Sequence, residues 1–332
     1  MDETIRTAVV GTGGWGTHVA TQFHENPGAE VVALADVAEA SRERAGEQLA
    51  VAPDHRYESH EEMFESEDLD AVQISSPHTL HYDHIMDALD AGLHVFCEKP
   101  FTPGVDRARE ITERVEGSEE VFMVGYQRHL CTAYVELREA IAAGEIEPKF
   151  VTAEIAQDWI QNVAGTWRVN PDLSGGGQLY DSGSHVLDAI VWMLDARPTS
   201  VSAEMSYYDE AERIDLQAAL SAEFEDGTVA SIGVSGDSPD VLERIAIRGD
   251  GGRGIIEGEG WDDRQLIRTG AEGESKTIEG VLSTAEKVGA FLESVREGTE
   301  PPATARTALY ATMLTEAAYE SARAGERVEI KY

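Results

Sequence analysis

Residues 7–16 read Thr7-Ala8-Val9-Val10-Gly11-Thr12-Gly13-Gly14-Trp15-Gly16. A short apolar run ends in glycines spaced G-x-G-x-x-G, and a helix-like stretch follows over residues 19–25. In that context each glycine has its own task. The first makes a tight turn, the second lets a pyrophosphate approach the backbone, and the third lets helix and strand pack closely. The helix N-terminus then offers free N–H groups and a positive dipole end to the anion. Gly11, Thr12, Gly13, Gly14, Trp15 and Gly16 are therefore the expected phosphate-binding turn of a dinucleotide site. A second apolar run, residues 31–35, leads to Asp36, 20 residues after Gly16. A carboxylate there accepts hydrogen bonds from the adenosine ribose hydroxyls and repels a 2′-phosphate, which favours NAD over NADP. Arg42, six residues on, reads as a solvated helix residue.

The same alternation continues outward. Residues 71–75, 93–97 and 121–124 are further apolar runs, separated by helix-like segments at 38–49, 84–91 and 105–115. Strands alternating with helices imply βαβ units and a doubly wound parallel sheet, and near-continuous apolar strands fit burial on both faces. Two later strand ends carry polar residues: Ser75-Ser76-Pro77-His78 and Glu98-Lys99-Pro100. Ligands of open α/β sheets bind beyond the carboxyl ends of the strands. Ser75, Ser76, Pro77, His78, Glu98 and Lys99 are thus expected beside the dinucleotide, with His81 as a further cofactor neighbour or helix-start residue. The run His78-x2-His81-x2-His84 does not keep three imidazoles on one helical face, and no zinc pattern completes it. We assign no metal.

After about residue 126 the pattern changes. A helix over 133–143 precedes a strand-rich region at 150–158, 200–207, 216–224, 228–235, 243–248, 254–257 and 265–267. Turn signals such as Glu225-Asp226-Gly227 mark a mostly antiparallel sheet. One helix, 178–194, interrupts it, and helices return at 285–296 and 304–324. The expected organisation is a dinucleotide-binding domain over 1–126 and an α+β domain over 127–332, with helix 304–324 able to pack back on the first.

The 332 residues include 63 acidic and 26 basic ones, a formal net charge of −37, and only five of the basic residues are lysines. Such acidity excludes an electrostatic footprint for nucleic acid or for anionic lipid. The longest apolar run, 189–194, is far below the roughly 18 residues that span a bilayer. No apolar signal region follows Met1-Asp2-Glu3, and two cysteines, Cys97 and Cys131, make no disulfide framework. Both point to the cytoplasm. The charge is spread over the whole chain, so it belongs to the folded surface. Depleted lysine with retained arginine fits a surface adapted to molar salt, and hence a halophilic host.

Lys99 is one of the five lysines, placed on a central strand end. A lysine near nicotinamide can orient a substrate hydroxyl and stabilise developing negative oxygen. The alternative for it is an ion pair with Glu98. The second constellation is 175–188, Gly175-Gly176-Gly177 leading into a helix with Asp181, His185 and Asp188. Asp181 and His185, four apart, share a helical face. An imidazole with an ordinary pKa near about 6.5 suits proton removal from an alcohol, and a carboxylate one turn away can orient it. The three glycines let another backbone or a ligand approach closely.

These pieces together resemble the glucose–fructose oxidoreductase / inositol dehydrogenase (Gfo/Idh/MocA-type) family of NAD(P)-dependent sugar and polyol oxidoreductases. The resemblance lies in the Gly-rich turn with Asp36, in 88–100 ending Glu98-Lys99-Pro100, in Val124-Gly125-Tyr126-Gln127-Arg128, in Trp167-Arg168, in 175–188, and in 305–306 and 318–322. It implies an N-terminal Rossmann domain and a C-terminal α+β domain with a large open sheet. That sheet commonly joins subunits, so a homodimer or homotetramer is expected. It also implies catalytic roles for Lys99, Asp181 and His185, with His185 as general acid/base. Lys99, Asp181 and His185 would also touch substrate, with Trp159, Trp167 and Arg168 as pocket walls. Gln127 stands near the cofactor where Asn is usual, and His129 replaces a common Arg. The expected enzyme is a dehydrogenase of a sugar, inositol or related polyol. The alternatives are a member that holds NAD tightly for aldose–ketose exchange or glycosidic cleavage, and a non-catalytic sugar or NAD sensor.

Overall fold

The computed structural model describes residues 4–332; the acidic opening Met1-Asp2-Glu3 lies outside them. The chain divides into two compact units. The first comprises residues 4–102, 106–126 and Thr284–Arg306. Its sheet has six parallel strands: β1 (Ile5–Val10), β2 (Ala29–Ala35), β3 (Arg56–Tyr57), β4 (Ala71–Ile74), β5 (His94–Cys97) and β6 (Phe122–Val124). They lie in the order β3-β2-β1-β4-β5-β6. All four residues of β4 are buried, as are Val95, Phe96 and Cys97 of β5, as expected for strands covered on both faces. The order reverses between β1 and β4, and that switch point is where open α/β sheets bind ligands.

The sequence-based division at 126/127 needs one correction. Thr284–Arg306 packs with the first unit, not the second. The cause is apolar: Phe291, on helix Thr284–Glu297, meets Phe23 and Phe96 edge-on at 6.0 and 5.7 Å, and Val288 and Leu292 are fully buried.

The second unit, 103–105, Gln127–Ser283 and Thr307–Tyr332, carries nine strands. They are β7 (Glu147–Ala156), β8 (Pro198–Tyr207), β9 (Asp215–Phe224), β10 (Val229–Ser235), β11 (Leu242–Asp250), β12 (Gly252–Glu259), β13 (Asp263–Gly270), β14 (Ser275–Val281) and β15 (Val328–Glu329). The order is β14-β13-β12-β11-β7-β10-β9-β8-β15, and only β7 and β10 run parallel. Period-2 burial is clear in β9 and β10, where Ala218, Leu220, Ala222, Ala230, Ile232 and Val234 face the core. The opposite face, with Gln217, Ala219, Ser221, Val229 and Ser231, is exposed. Helices Thr132–Ala142 and Ser184–Leu194 fill the core side with Leu137, Val186, Ile190 and Met193. Strand β14 is not anticipated from sequence, because on this edge strand only Ile278 and Gly280 are sheltered among exposed polar residues. Among the described residues, no helix is long and apolar enough to cross a membrane.

The net charge of −37 predicts a strong salt response. Self-repulsion is unscreened in dilute buffer, and the Debye length falls to about 3 Å at 1 M salt. A thermal melt in molar KCl is expected to exceed one at low salt by roughly 10 °C or more. Equal midpoints would contradict the salt-adapted surface.

Candidate active site

The first unit carries the dinucleotide-binding candidates. Gly11 has a φ of +87°, and a Cβ there would lie 2.7 Å from the Ser75 carbonyl carbon, so the turns after β1 and β4 touch through glycine. At Gly16 a Cβ would lie 2.0 Å from the Gly11 carbonyl oxygen, the close packing expected of the third glycine. At Gly13 and Gly14 a Cβ would meet nothing within 4 Å. That open face leads onto helix Gly14–Glu25, which starts without a side-chain cap or an acidic residue in its first turn. An uncapped N-terminus with an open glycine face suits a pyrophosphate.

Asp36 follows β2 and ties itself to this turn. Its Oδ2 accepts from Thr12 N at 2.7 Å and Thr12 Oγ1 at 3.0 Å, and its Oδ1 accepts from Ala38 N at 2.8 Å. Arg42 is not simply solvated: it is half-buried and donates through Nη1 to the Asp36 carbonyl at 2.5 Å. Arg44 donates to the Thr12 carbonyl at 3.3 Å. The turn of helix after residue 38 brings both guanidinium groups back to the Thr12–Asp36 contact, a proximity that spacing alone concealed.

The other strand ends are organised from inside. Gln73 Nε2 donates to Ser75 Oγ and to the Gly16 carbonyl, both at 2.9 Å. His81 is buried, with Nε2 at 3.0 Å from the Ser76 carbonyl and Nδ1 at 2.9 and 3.1 Å from the Pro100 and Phe101 carbonyls. It buckles the 75–78 turn to the 98–101 turn; burial holds its pKa below the ordinary imidazole value, against the pull of those carbonyls. Ser76 Oγ meets His84 Nδ1 at 2.8 Å, and burial with His60 nearby pushes His84 down to about 3, so His84 is neutral. His78 is buried and Pro77 half-buried in the same turn. Glu98 is buried and turned inward, where its carboxylate pairs with Lys287. Lys99 is half-buried, and Gln127 opens a short 3-10 turn in the second unit.

The second unit carries the remaining candidate residues. Helix 178–194 is expected as one regular helix, but Leu179–Gly183 forms a π-helical turn ahead of Ser184–Leu194. Such turns recur at functional sites. The simple one-turn spacing of Asp181 and His185 is therefore widened at its start. Two donors hold the Asp181 carboxylate: Trp159 Nε1 at 2.7 Å and Arg168 Nε at 3.1 Å, both on Oδ2. The Arg168 guanidinium also stacks on Trp167 at 4.6 Å. Trp159, Trp167, Arg168 and Asp181, singled out from distant stretches of sequence, are thus brought together. His185 is buried, with the Trp261 ring 6.3 Å away. Nothing in the sequence around Trp261 marks it.

Two of the three glycines are closed in by protein. A Cβ at Gly176 would meet the Tyr319 hydroxyl at 2.4 Å, and one at Gly177 would meet the Asp215 carbonyl at 2.0 Å. Asp215 Oδ1 and Oδ2 accept from Gly177 N and Leu179 N, each at 2.8 Å, and so secure the start of the segment that leads to His185. Asp188 pairs with His129 at 2.7 Å, both fully buried, with the His129 ring stacked on Trp192 at 4.3 Å. The residue that stands where Arg is common is therefore an internal partner of the helix.

An open-faced glycine turn at the switch point, and a buried carboxylate–imidazole segment on a braced helix, define a dinucleotide-dependent oxidoreductase. Residues 5–126 match the model of an oxidoreductase family described as an NAD-binding Rossmann fold, and residues 134–254 match the GFO/IDH/MocA C-terminal domain. The chain belongs to the GFO/IDH/MocA oxidoreductase family. It is 26% identical to D-xylose 1-dehydrogenase [NADP(+)] of Haloarcula marismortui, over 99% of this chain and 94% of that one. It is 27% identical to scyllo-inositol 2-dehydrogenase (NAD(+)) of Bacillus subtilis, over 72% of this chain and 69% of that one. The fold is shared with aldose-aldose oxidoreductase from Caulobacter crescentus, at a TM-score of 0.84, 22% identity, and coverage of 98% and 100%.

Proposed function

We propose that this chain is an NAD-dependent dehydrogenase that oxidises one hydroxyl of a sugar, an inositol or a related polyol. The observation that carries the reading is Asp181, buried in a π-helical turn at the head of the His185 helix, with Trp159 and Arg168 on its carboxylate. A fixed carboxylate four residues before a buried imidazole is suited to support proton transfer, with His185 as general acid/base and Asp181 tuning it and contacting substrate. Lys99 binds and polarises the reacting oxygen, whose developing charge its ammonium stabilises. Trp167 and Arg168 wall the substrate side. Gly11 to Gly16, Asp36, Ser75, Ser76, Pro77, His78, His81, Glu98, Lys99 and Gln127 hold or back the dinucleotide, and nicotinamide supplies the hydride acceptor. The relatives' names, xylose and inositol dehydrogenases, support a polyhydroxylated substrate. A second copy of this chain on the exposed face of the nine-stranded sheet completes the reading, as a homodimer or homotetramer in the cytoplasm.

The test is a panel of sugars, inositols and sugar acids assayed at 340 nm with NAD and with NADP in molar KCl. Turnover of at least one compound is expected, faster with NAD, and no turnover across the panel would contradict the reading. Asp36→Ser should raise the NADP-to-NAD ratio of kcat/KM by about 10–100-fold, because it removes the carboxylate and leaves Arg42 and Arg44 beside the ribose. An unchanged ratio would place cofactor choice elsewhere.

A further inference from the structure

Of the five lysines, Lys287 is the one that is fully buried. It sits on helix Thr284–Glu297, nearly 190 residues beyond the Glu98-Lys99-Pro100 turn, yet in the same compact unit. Its Nζ donates to Glu98 Oε1 and lies 5.3 Å from the centre of the Trp15 ring and 5.6 Å from that of Phe96. The other carboxylate oxygen of Glu98, Oε2, accepts from the backbone N–H of Lys99 at 3.3 Å. Gly125 closes the remaining side: a Cβ there would lie 3.0 Å from the Glu98 carboxyl carbon. One ammonium therefore joins the phosphate-binding turn, through the face of Trp15, to the turn that carries Lys99, through Glu98.

A buried ion pair is a poor source of stability, because desolvation offsets its attraction, and apolar residues of similar size commonly do as well. What it does supply is fixed geometry. With one carboxylate oxygen held by Lys287 and the other on the Lys99 amide, the backbone from which the Lys99 side chain projects has one setting. Trp15, which is partly exposed, is held by the same cation from below. We propose that Lys287 is a positioning residue for Lys99, acting through the Glu98 carboxylate. This rests on the reading of Lys99 as the group on the reacting oxygen.

The test is a double-mutant cycle on the full-length enzyme in molar KCl, with turnover of the best panel compound and dinucleotide affinity by calorimetry as readouts. Lys287→Met leaves a buried carboxylate unpaired, so Glu98→Gln/Lys287→Met is made alongside it to remove both charges together. In that double variant the melting midpoint should return to within a few degrees of the parent, while kcat stays down by roughly 10–100-fold. In a Lys99→Met background the same pair of changes should lower kcat by less than about 3-fold, because a positioning residue has nothing left to position. Lys287→Arg should keep the charge but misplace it, and recover only part of the loss. If activity returns together with the melting midpoint, or if the losses multiply in the Lys99→Met background, Lys287 has a structural role only and the proposal fails. If Lys99→Met itself leaves kcat unchanged, it is the catalytic reading of Lys99 that fails, and the two outcomes are distinguishable.

Discussion

His185→Ala is expected to lower kcat by roughly 10²–10⁴-fold while dinucleotide affinity stays within about 2-fold of the parent. The size follows from the role proposed for the imidazole, which is to take the hydroxyl proton as the hydride leaves. The retained affinity follows from the fold. The glycine turn, Asp36 and the 75–78 turn all belong to the first unit, whereas His185 belongs to the second. His185→Asn, closer in size and still polar, should be equally inactive, since an amide cannot accept a proton at these pH values. Stopped-turnover assays and calorimetric titration with NAD check both halves. Turnover within 3-fold of the parent would remove His185 from the chemistry.

Glu243→Gln carries the largest expected effect on stability. Glu243, on β11, is fully buried, and three side chains converge on it. Arg128 donates through Nε to Oε1 at 2.7 Å and through Nη2 to Oε2, Arg264 donates to Oε2 at 3.0 Å, and the Tyr134 hydroxyl donates to Oε1. Burial pushes this carboxyl up, but the two guanidinium groups outweigh it and hold it down at about 2. Neutralising it leaves two buried cations without a counter-charge, at a cost of about 3–5 kcal/mol and a fall in melting midpoint on the order of 10 °C. A pH effect follows with a definite sign. A carboxyl whose folded value lies below its unfolded value near about 4.3 stabilises fully above that value, and the contribution is lost as pH falls towards about 2. Acid melts should show the parent losing stability across that window, with the Glu243→Gln chain flatter there. A midpoint shift below about 2 °C at neutral pH would contradict this picture of the cluster.

The parts of this molecule that can be read from sequence are those whose cause is local. The glycine turn, Asp36 and the strand–helix alternation are periodic or separated by fixed short spacings; the turn lies at the β1–β4 switch point, and Asp36, after β2, bonds to its Thr12. The Asp181–His185 segment is likewise visible as a motif, although its π-helical start is not, because Asp215 and Tyr319, which secure it, lie far along the chain. Arg42 is half-legible: its position six residues past Asp36 is plain, but the return of its guanidinium to the Asp36 carbonyl needs the helix geometry. Lys287 and Glu243 leave no local pattern at all. Glu98 lies 189 residues from Lys287, and Arg128 and Tyr134 lie more than 100 from Glu243, so each alone looks like an ordinary charged residue in an acidic chain. The fate of Thr284–Arg306, which returns to the first unit, is hidden for the same reason, since it depends on Phe291 finding Phe23 and Phe96.

Net hydride transfer from a carbinol carbon to the dinucleotide is read out by label transfer. The panel compound that turns over fastest is prepared with deuterium on the carbon to be oxidised, and the products are read by mass spectrometry and NMR. One deuterium is expected at C4 of the released reduced nicotinamide, with a carbonyl at the labelled carbon. Deuterium retained in the sugar product with no net reduced dinucleotide, or deuterium lost to water, would contradict it.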